Sequence, residues 1–337
     1  MRILLDVMGG DLPPHELIKG GISAGRRHGI DITFSGDPSA ITAALAQHRE
    51  KVGGKYDILP SRTVIRMDDA PVKSVREKPD SSLIVGLEAV RDGQADAFVS
   101  PGNTGAIVAG SIFRLGRCPD IPRPGILVTL PTLGGRDLYV IDVGANSDTS
   151  PEQLFHFALM GLTYARDVAG IDAPIAGLLN IGTEKGKGNK LISDAFEMLE
   201  ASPLPFAGNV EAHQLLTDRP VDVVVSDGFV GNVFLKAVEG GISAVTGLLK
   251  NTIRGRVLAM LGALLMSGSF ARVKGTLSYR RRGGAPLLGV NGVVVIAHGR
   301  SDAEAIESAI EVACRQVRAD LPAQFAQGAS VWGPHGS

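Results

Sequence analysis

The chain holds only two cysteines in 337 residues, Cys118 and Cys314, and they fall in no motif. That excludes a disulfide framework, and the absence of CxxC spacing removes the usual cysteine-based zinc sites. Aromatic residues are scarce, at 5% against 44% hydrophobic residues overall. The core must therefore be aliphatic, which suits a parallel sheet of Val, Ile and Leu covered by helices. The net charge is −1, so there is no basic field to draw a nucleic acid, and no nucleic-acid partner is expected. No run reaches 18 apolar residues, so no transmembrane helix is expected. The start, Met1-Arg2-Ile3-Leu4-Leu5-Asp6, turns to charge too early for a signal peptide. It reads as a strand, and a cytoplasmic enzyme is the expectation.

What is present is one unit repeated: a short apolar run, a loop rich in Gly, Asn and Asp, then an amphipathic stretch. Leu4-Leu5 leads into Asp6-Val7-Met8-Gly9-Gly10-Asp11, and Ala97-Phe98-Val99 into Ser100-Pro101-Gly102-Asn103-Thr104-Gly105-Ala106. Leu138 to Ile141 leads into Asp142-Val143-Gly144-Ala145-Asn146, followed by a helix from Pro151. Ile175 to Leu179 leads into Asn180 to Asn189, Val221 to Val225 into Ser226 to Asn232, and Gly292 to Ala297 into His298-Gly299-Arg300-Ser301-Asp302. Strands alternating with helices imply an α/β fold with a mostly parallel sheet flanked by helices. Right-handed crossovers would set all these loops along one edge of the sheet, where open α/β folds bind ligands.

The stretch 242–274 differs. Ile253, Val257, Leu258, Met260, Leu261, Leu264, Leu265 and Met266 lie between Arg254, Arg256, Arg272 and Lys274. It reads as an interfacial amphipathic segment, a dimer-forming helix pair or ordinary core. Residues 1–320 are expected to form a single domain with this helical excursion, and 321–337 a loose tail.

Glycine-rich turns at helix starts expose backbone N–H groups at the positive end of the helix dipole, and so bind anions. Asn103, Thr104, Asn146 and Asn232 add neutral hydrogen-bonding groups, and Lys185 and Lys187 add charge. Each loop also has a plainer reading. Asp6, Asp142 and Asp227 fit as caps or turn residues, His298 as a core histidine, and the lysine loop as a solvated turn. Nucleotide motifs fail: Gly182 to Gly188 lacks the GxxxxGK(S/T) spacing, and Met8-Gly9-Gly10-Asp11 is no GxGxxG. No GxSxG elbow or Cys–His motif supplies a covalent nucleophile. The strand-end aspartates explain themselves as caps, so no metal and no cofactor are expected.

Taken in order, these loops and Gly283-Gly284-Ala285-Pro286-Leu287-Leu288-Gly289-Val290-Asn291-Gly292 resemble the bacterial phosphate acyltransferase (PlsX) family, from Met1 to about Arg318. Pro101 stands where that family more usually has Ala, and Val7 where Ala is common. The resemblance implies a fold like isocitrate dehydrogenase and phosphotransacetylase. It implies transfer of a long-chain acyl group from acyl carrier protein to inorganic phosphate, the acyl phosphate feeding phospholipid synthesis. It also implies a homodimer with loose contact at the inner face of the membrane. On that basis Gly102, Asn103, Thr104, Gly105, Lys185 and Lys187 are expected at the phosphate. Asn146, Asn232 and His298 are expected at the oxyanion or thioester, oriented by Asp142 and Asp227. Arg254, Arg256, Arg272, Lys274 and Arg280-Arg281-Arg282 are candidates for docking the acidic carrier. The alternatives are a phosphotransacetylase using acetyl-CoA, an NAD-dependent β-decarboxylating dehydrogenase, and a phosphate- or lipid-binding protein.

Overall fold

The computed structural model describes residues 1–48, 55–270, 275 and 282–332. The elements are β1 (Arg2–Asp6), α1 (Pro14–His28), β2 (Asp31–Gly36), α2 (Pro38–Ala46), β3 (Tyr56–Pro60), α3 (Pro71–Glu77), α4 (Ser82–Arg91), β4 (Ala97–Ser100), α5 (Thr104–Arg114), β5 (Gly125–Pro131) and β6 (Asp137–Ile141). They continue with α6 (Pro151–Asp167), β7 (Ala176–Asn180), α7 (Lys190–Glu200), β8 (Phe206–Glu211), β9 (Val223–Val225), α8 (Gly228–Ile253), α9 (Val257–Leu265), β10 (Ala285–Leu288), β11 (Val293–Ile296), α10 (Ala303–Arg318) and α11 (Leu321–Trp332).

Local chemistry explains the helix limits. α1 starts with Pro14 at its first turn, ends on Arg26, Arg27 and His28, and is closed by Gly29 in the left-handed region. α6 starts on a reciprocal capping box, with the Ser150 hydroxyl on the Gln153 N–H and the Gln153 side chain on the Ser150 N–H. Asp37, Ser81, Asn103, Asn189, Asp227 and Asp302 cap α2, α4, α5, α7, α8 and α10.

The strands form one eleven-stranded sheet in the order β3-β2-β1-β4-β11-β10-β5-β6-β9-β7-β8. Fully buried runs such as Ala97-Phe98-Val99 and Val223-Val224-Val225 fill its middle. Helices cover both faces. One core joins Leu5, Ile32 and Val295 to Ile18 and Ile310, a second joins Phe98 and Leu138 to Ile84 and Ile107, and a third packs α6, α7 and α11 on β6, β9 and β7.

Strand direction corrects one expectation. β3, β2, β1, β4 and β11 are mutually parallel, but β10 is antiparallel to both β11 and β5, and β5 is antiparallel to β6. β9, β7 and β8 follow β6. The loops after β6, β7 and β9 therefore leave the sheet in the opposite direction from those after β1, β4 and β11. They do not share one edge.

Two further differences concern the C-terminal half. Within this chain, 242–265 is not ordinary core: Val245, Leu248, Leu258, Leu264 and Leu265 are all exposed, and only Gly228 and Gly231 of α8 are buried. The segment from 321 continues as helix α11, with Leu321 and Phe325 buried against α6, instead of forming a loose tail. Arg272, Lys274, Arg280 and Arg281 lie outside the described residues.

Candidate active site

A cavity of about 660 Å³ lies over β5, within the range of small-molecule sites. Its floor is Ile126, Val128 and Leu130, alternate residues of β5 and so on one face of the strand. α8 supplies one wall through Asn232, Leu235, Lys236 and Glu239, spaced i, i+3, i+4, i+7 on a single helix face. Thr104 and Gly105 at the start of α5, with His298, Arg300 and Ser301 before α10, supply another. Both opposite-running halves of the sheet thus contribute helix starts to one cavity.

The β4–α5 turn is held by a buried carboxylate. Asp6 accepts from the N–H groups of Met8 and Gly9 at 3.0 and 3.2 Å and from the Ser100 hydroxyl at 2.8 Å. The Ser100 hydroxyl in turn accepts from the Gly102 N–H at 3.1 Å. Burial pushes the Asp6 carboxyl up from its ordinary value, and these donors work against that shift. Gly9 must be glycine here, because a Cβ would stand 2.7 Å from the Asp6 carboxylate and 2.9 Å from the Gly102 Cα. Asn103 uses both ends of its amide. Its oxygen caps α5 by accepting from the Ala106 N–H at 3.0 Å. Its nitrogen donates to the carbonyls of Arg66, Met67 and Asp69 at 3.3, 3.0 and 3.1 Å. Asn103 therefore fixes the turn and the 66–69 loop, while Thr104 and Gly105 face the cavity.

The same device recurs on the other side. Asp142 is fully buried and accepts from the N–H groups of Ile126, Gly144, Ala145 and Asn146 and from the Asn146 amide, at 2.8–3.0 Å. Burial raises its carboxyl too, opposed by these donors. Asn146 also donates to the Pro124 carbonyl at 2.7 Å. Asp227 caps α8 through the Val230 N–H at 2.8 Å. Asn146, Asp142 and Asp227 are thus engaged in shaping the loop. Gly144 and Asn232 are the members of this group that reach the cavity.

His298 is exposed and belongs to the cavity wall, not to the core. Its Nδ1 accepts from the Arg300 N–H at 3.1 Å. In the neutral ring the proton then sits on Nε2, which becomes a donor. Three cations among the described residues stand at the same cavity: Arg300, which lies 4.0 Å from Asp11, Lys236 and Arg282. Lys236 pairs with Glu239 at 2.9 Å and Arg282 with Asp137 at 2.7 Å. The arrangement offers helix-dipole N–H groups and positive charge beside an apolar floor. That combination suits an anion meeting a long apolar substrate.

Of the residues singled out from sequence, Thr104, Gly105, Asn232 and His298 are brought together around the cavity. Gly102, Asn103, Asn146, Asp142 and Asp227 are not among its lining residues and act on the loops and helix starts that are. Lys185 and Lys187 do not line it: Lys185 pairs with Glu200 and lies 5.4 Å from the Phe196 ring centroid. Sequence reasoning missed Lys236, Leu235 and Glu239, although their helical spacing from Asn232 was a readable signal. It also missed the β5 floor, whose alternation is interrupted by buried residues on the other face. Among the described residues no group of three or more His, Cys, Asp or Glu side chains could hold a metal.

Residues 1–324 match the family model described as fatty acid synthesis protein. The chain is 45% identical over 318 residues to the phosphate acyltransferase of Heliobacterium modesticaldum, covering 94% of each. It is 45% identical over 316 residues to that of Gloeobacter violaceus, covering 93% of this chain and 92% of the relative. The chain belongs to the phosphate acyltransferase family. As a member of that family it is an acyltransferase. Its fold matches the phosphotransacetylase of Streptococcus pyogenes at a TM-score of 0.64 with 15% identity, covering 94% of each chain. A branched-chain phosphotransacylase from Enterococcus faecalis matches at 0.55 with 13% identity, covering 94% and 99%. At such low identity these likenesses speak to the fold alone.

Proposed function

We propose that the enzyme transfers a long-chain fatty acyl group from the thiol of acyl carrier protein to inorganic phosphate, forming an acyl phosphate for phospholipid synthesis. The observation that carries this reading is the cavity itself, with helix-start N–H groups and cations beside a strand floor of Ile126, Val128 and Leu130. Phosphate takes the anion-binding wall, held by the Thr104 and Gly105 N–H groups, His298 Nε2, Arg300 and Ser301. Gly102 and Asn103 hold that wall in shape. Lys185 and Lys187 lie outside this wall.

A phosphate oxygen attacks the thioester carbonyl, and the carbonyl oxygen gains negative charge. Asn232, beside Gly144, faces that oxygen. Asp142, Asn146 and Asp227 position it. The carbon–sulfur bond then breaks, the acyl–oxygen bond remains, and the proton of hydrogen phosphate leaves with the thiol. No covalent enzyme intermediate is required, since phosphate is the nucleophile. Catalysis rests on positioning and on preorganised donors.

The α8–α9 arm supports a homodimer and peripheral contact with the inner face of the membrane in a cytoplasmic enzyme. Its Leu258 and Leu265 are 84% and 89% exposed, and no helix among the described residues is long and apolar enough to cross a membrane. One assay tests the central reading. Purified protein, palmitoyl-loaded acyl carrier protein and phosphate are mixed without metal or nicotinamide, and acyl phosphate is trapped with hydroxylamine. Acyl phosphate is expected. Product from acetyl-CoA alone, or none from either donor, would reject it.

A further inference from the structure

The face formed by α3 and the outer side of α5 joins the cavity without belonging to it. Pro71, at the start of α3, packs so closely on Gly105 that a Cβ there would lie 2.7 Å from its ring. The inner side of Gly105 lines the cavity. A shallow groove of about 580 Å³ runs along Ala70, Pro71, Val72, Lys73, Arg76 and Glu77. Three large apolar side chains are exposed on this face and the loop before it: Met67, Val72 and Phe113, at 44%, 48% and 51%. The Arg76 guanidinium lies 5.6 Å from the centre of the Phe113 ring.

The segment that carries this face has a small excess of positive charge, reduced by Asp80 just beyond it. From Arg62 to Lys78 the sequence carries five cations (Arg62, Arg66, Lys73, Arg76 and Lys78) against three anions (Asp68, Asp69 and Glu77). Asp69 is taken up by Lys78, and Glu77 lies 3.9 Å from Lys73. Aromatic, Met and Arg side chains exposed together are the composition of an interface centre, and basic groups around them select an acidic partner. The 66–69 loop that borders the face is pinned by Asn103 to the start of α5. A protein seated here would stand beside the cavity mouth with its own contact surface held rigid.

We propose that the α3–α5 face is the docking surface for the acidic carrier protein that delivers the acyl thioester, an inference that rests on the acyl-carrier reading above. The carrier's negative surface meets Arg66, Lys73 and Arg76 around Phe113. Its thioester arm passes Gly105 to reach the floor of β5.

The test uses the full-length enzyme and the charge-reversal variant K73E/R76E, with K73E alone as the milder second variant. The affinity of fluorescently labelled carrier protein is read by anisotropy, and turnover is measured over a range of acyl-carrier concentrations. Kd and KM for the carrier are expected to rise about tenfold or more, with kcat at saturation within about twofold of the parent. The parent's KM should rise with salt more steeply than the variant's. If the parent makes no acyl phosphate from the carrier thioester, the underlying reading fails and this proposal with it. If the parent is active but both variants keep its Kd and KM, the docking surface alone is wrong. A changed oligomeric state, or lost binding to anionic vesicles with KM unchanged, would assign the face to a second copy or to lipid and overturn the proposal.

Discussion

Replacing Gly228 by Ala should damage the enzyme in a way that the same substitution at Gly240, in the same helix, should not. Gly228 opens α8 against the Asp142–Asn146 loop. A Cβ there would stand 2.5 Å from the Asn146 carbonyl oxygen, 2.7 Å from the Asp142 carboxylate and 3.0 Å from the Asn146 nitrogen. Two of the three are backbone atoms, and the loop is tied at the same time to Ile126 and Pro124. It would have to retreat by about 0.9 Å to reach ordinary contact at 3.4 Å. Overpacking of this kind costs about 1–3 kcal/mol. At Gly240 nothing lies within 4 Å, so Ala there should gain about 0.5–1 kcal/mol from helix propensity. Urea titration and thermal melting should therefore show opposite signs, with G228A lower by about 1–4 °C for a chain of 337 residues. Activity gives the second readout. Gly144 lies on that loop and Asn232 on the helix it packs against, so their spacing changes, and a misplacement near 1 Å can cost about 10²-fold in turnover. G228A with the parent's melting temperature and kcat would refute both the packing argument and the placement of Asn232 at the reacting carbonyl.

Asn103→Ala removes the α5 cap and three bonds to carbonyl oxygens, so stability should fall by about 1–2 kcal/mol in urea titrations. Asn103→Asp keeps the cap but turns a carboxylate toward those carbonyls and should be less stable than the Ala variant; the reverse order would contradict the assigned amide orientation. His298→Ala should lower kcat by about 10²-fold with the melting temperature unchanged, and His298→Gln should restore part of it by returning a donor near the Nε2 position. Alkaline stability should decline early. Burial pushes Cys118 and Tyr139 up to about 12, and Tyr164 higher still. The folded state holds these protons after the unfolded chain has released them. Their contribution is therefore full below about pH 9 and is lost as pH rises toward 12. A thermal-melt series flat from pH 8 to 11 would contradict this, as would rapid labelling of Cys118 in the folded enzyme at pH 8.

Part of the candidate site is legible because its chemistry is local. Strand-end Asp and helix-start Gly-Asn turns can be recognised from a few neighbouring residues, and Thr104, Gly105, Asn232 and His298 do meet at one cavity. What local reading could not separate was contact from support. Asn103, Asn146 and Asp142 have the same residue types as groups that touch ligands, yet their polar atoms are engaged by the chain itself. Only the positions of Met67, Pro124 and Ile126, distant in sequence, reveal this. In sequence Lys185 groups with the others, because its loop follows a strand as theirs do. The sheet order instead puts β7 beyond β9 and turns the lysine toward Glu200.

Strand direction was the larger illegible element, and it changes how the site works. Nothing in Ala285-Pro286-Leu287-Leu288 announces that this short strand runs against both neighbours, because direction is set by pairing partners that are far away in the chain. Had all strands run one way, the glycine-rich loops would have formed a row along one edge, suited to a flat, extended anion. Inverting the second half gives a different geometry. Asp6 with Gly9 and Gly102, and Asp142 with Gly228 and Gly231, are two versions of one device: a buried carboxylate gathers a loop so that a helix start can approach it closely. Because the halves run oppositely, the devices end on different walls of one cavity with the β5 floor between them. A bimolecular transfer needs that layout, since the attacking anion and the developing oxyanion must be held by separate sets of donors. On the proposed reading the wall of the α5 start and His298 serves the first and the α8 wall the second, so His298→Ala combined with Asn232→Ala should lower turnover by close to the product of the single effects. A double variant no slower than the worse single variant would mean that both residues act on the same charge.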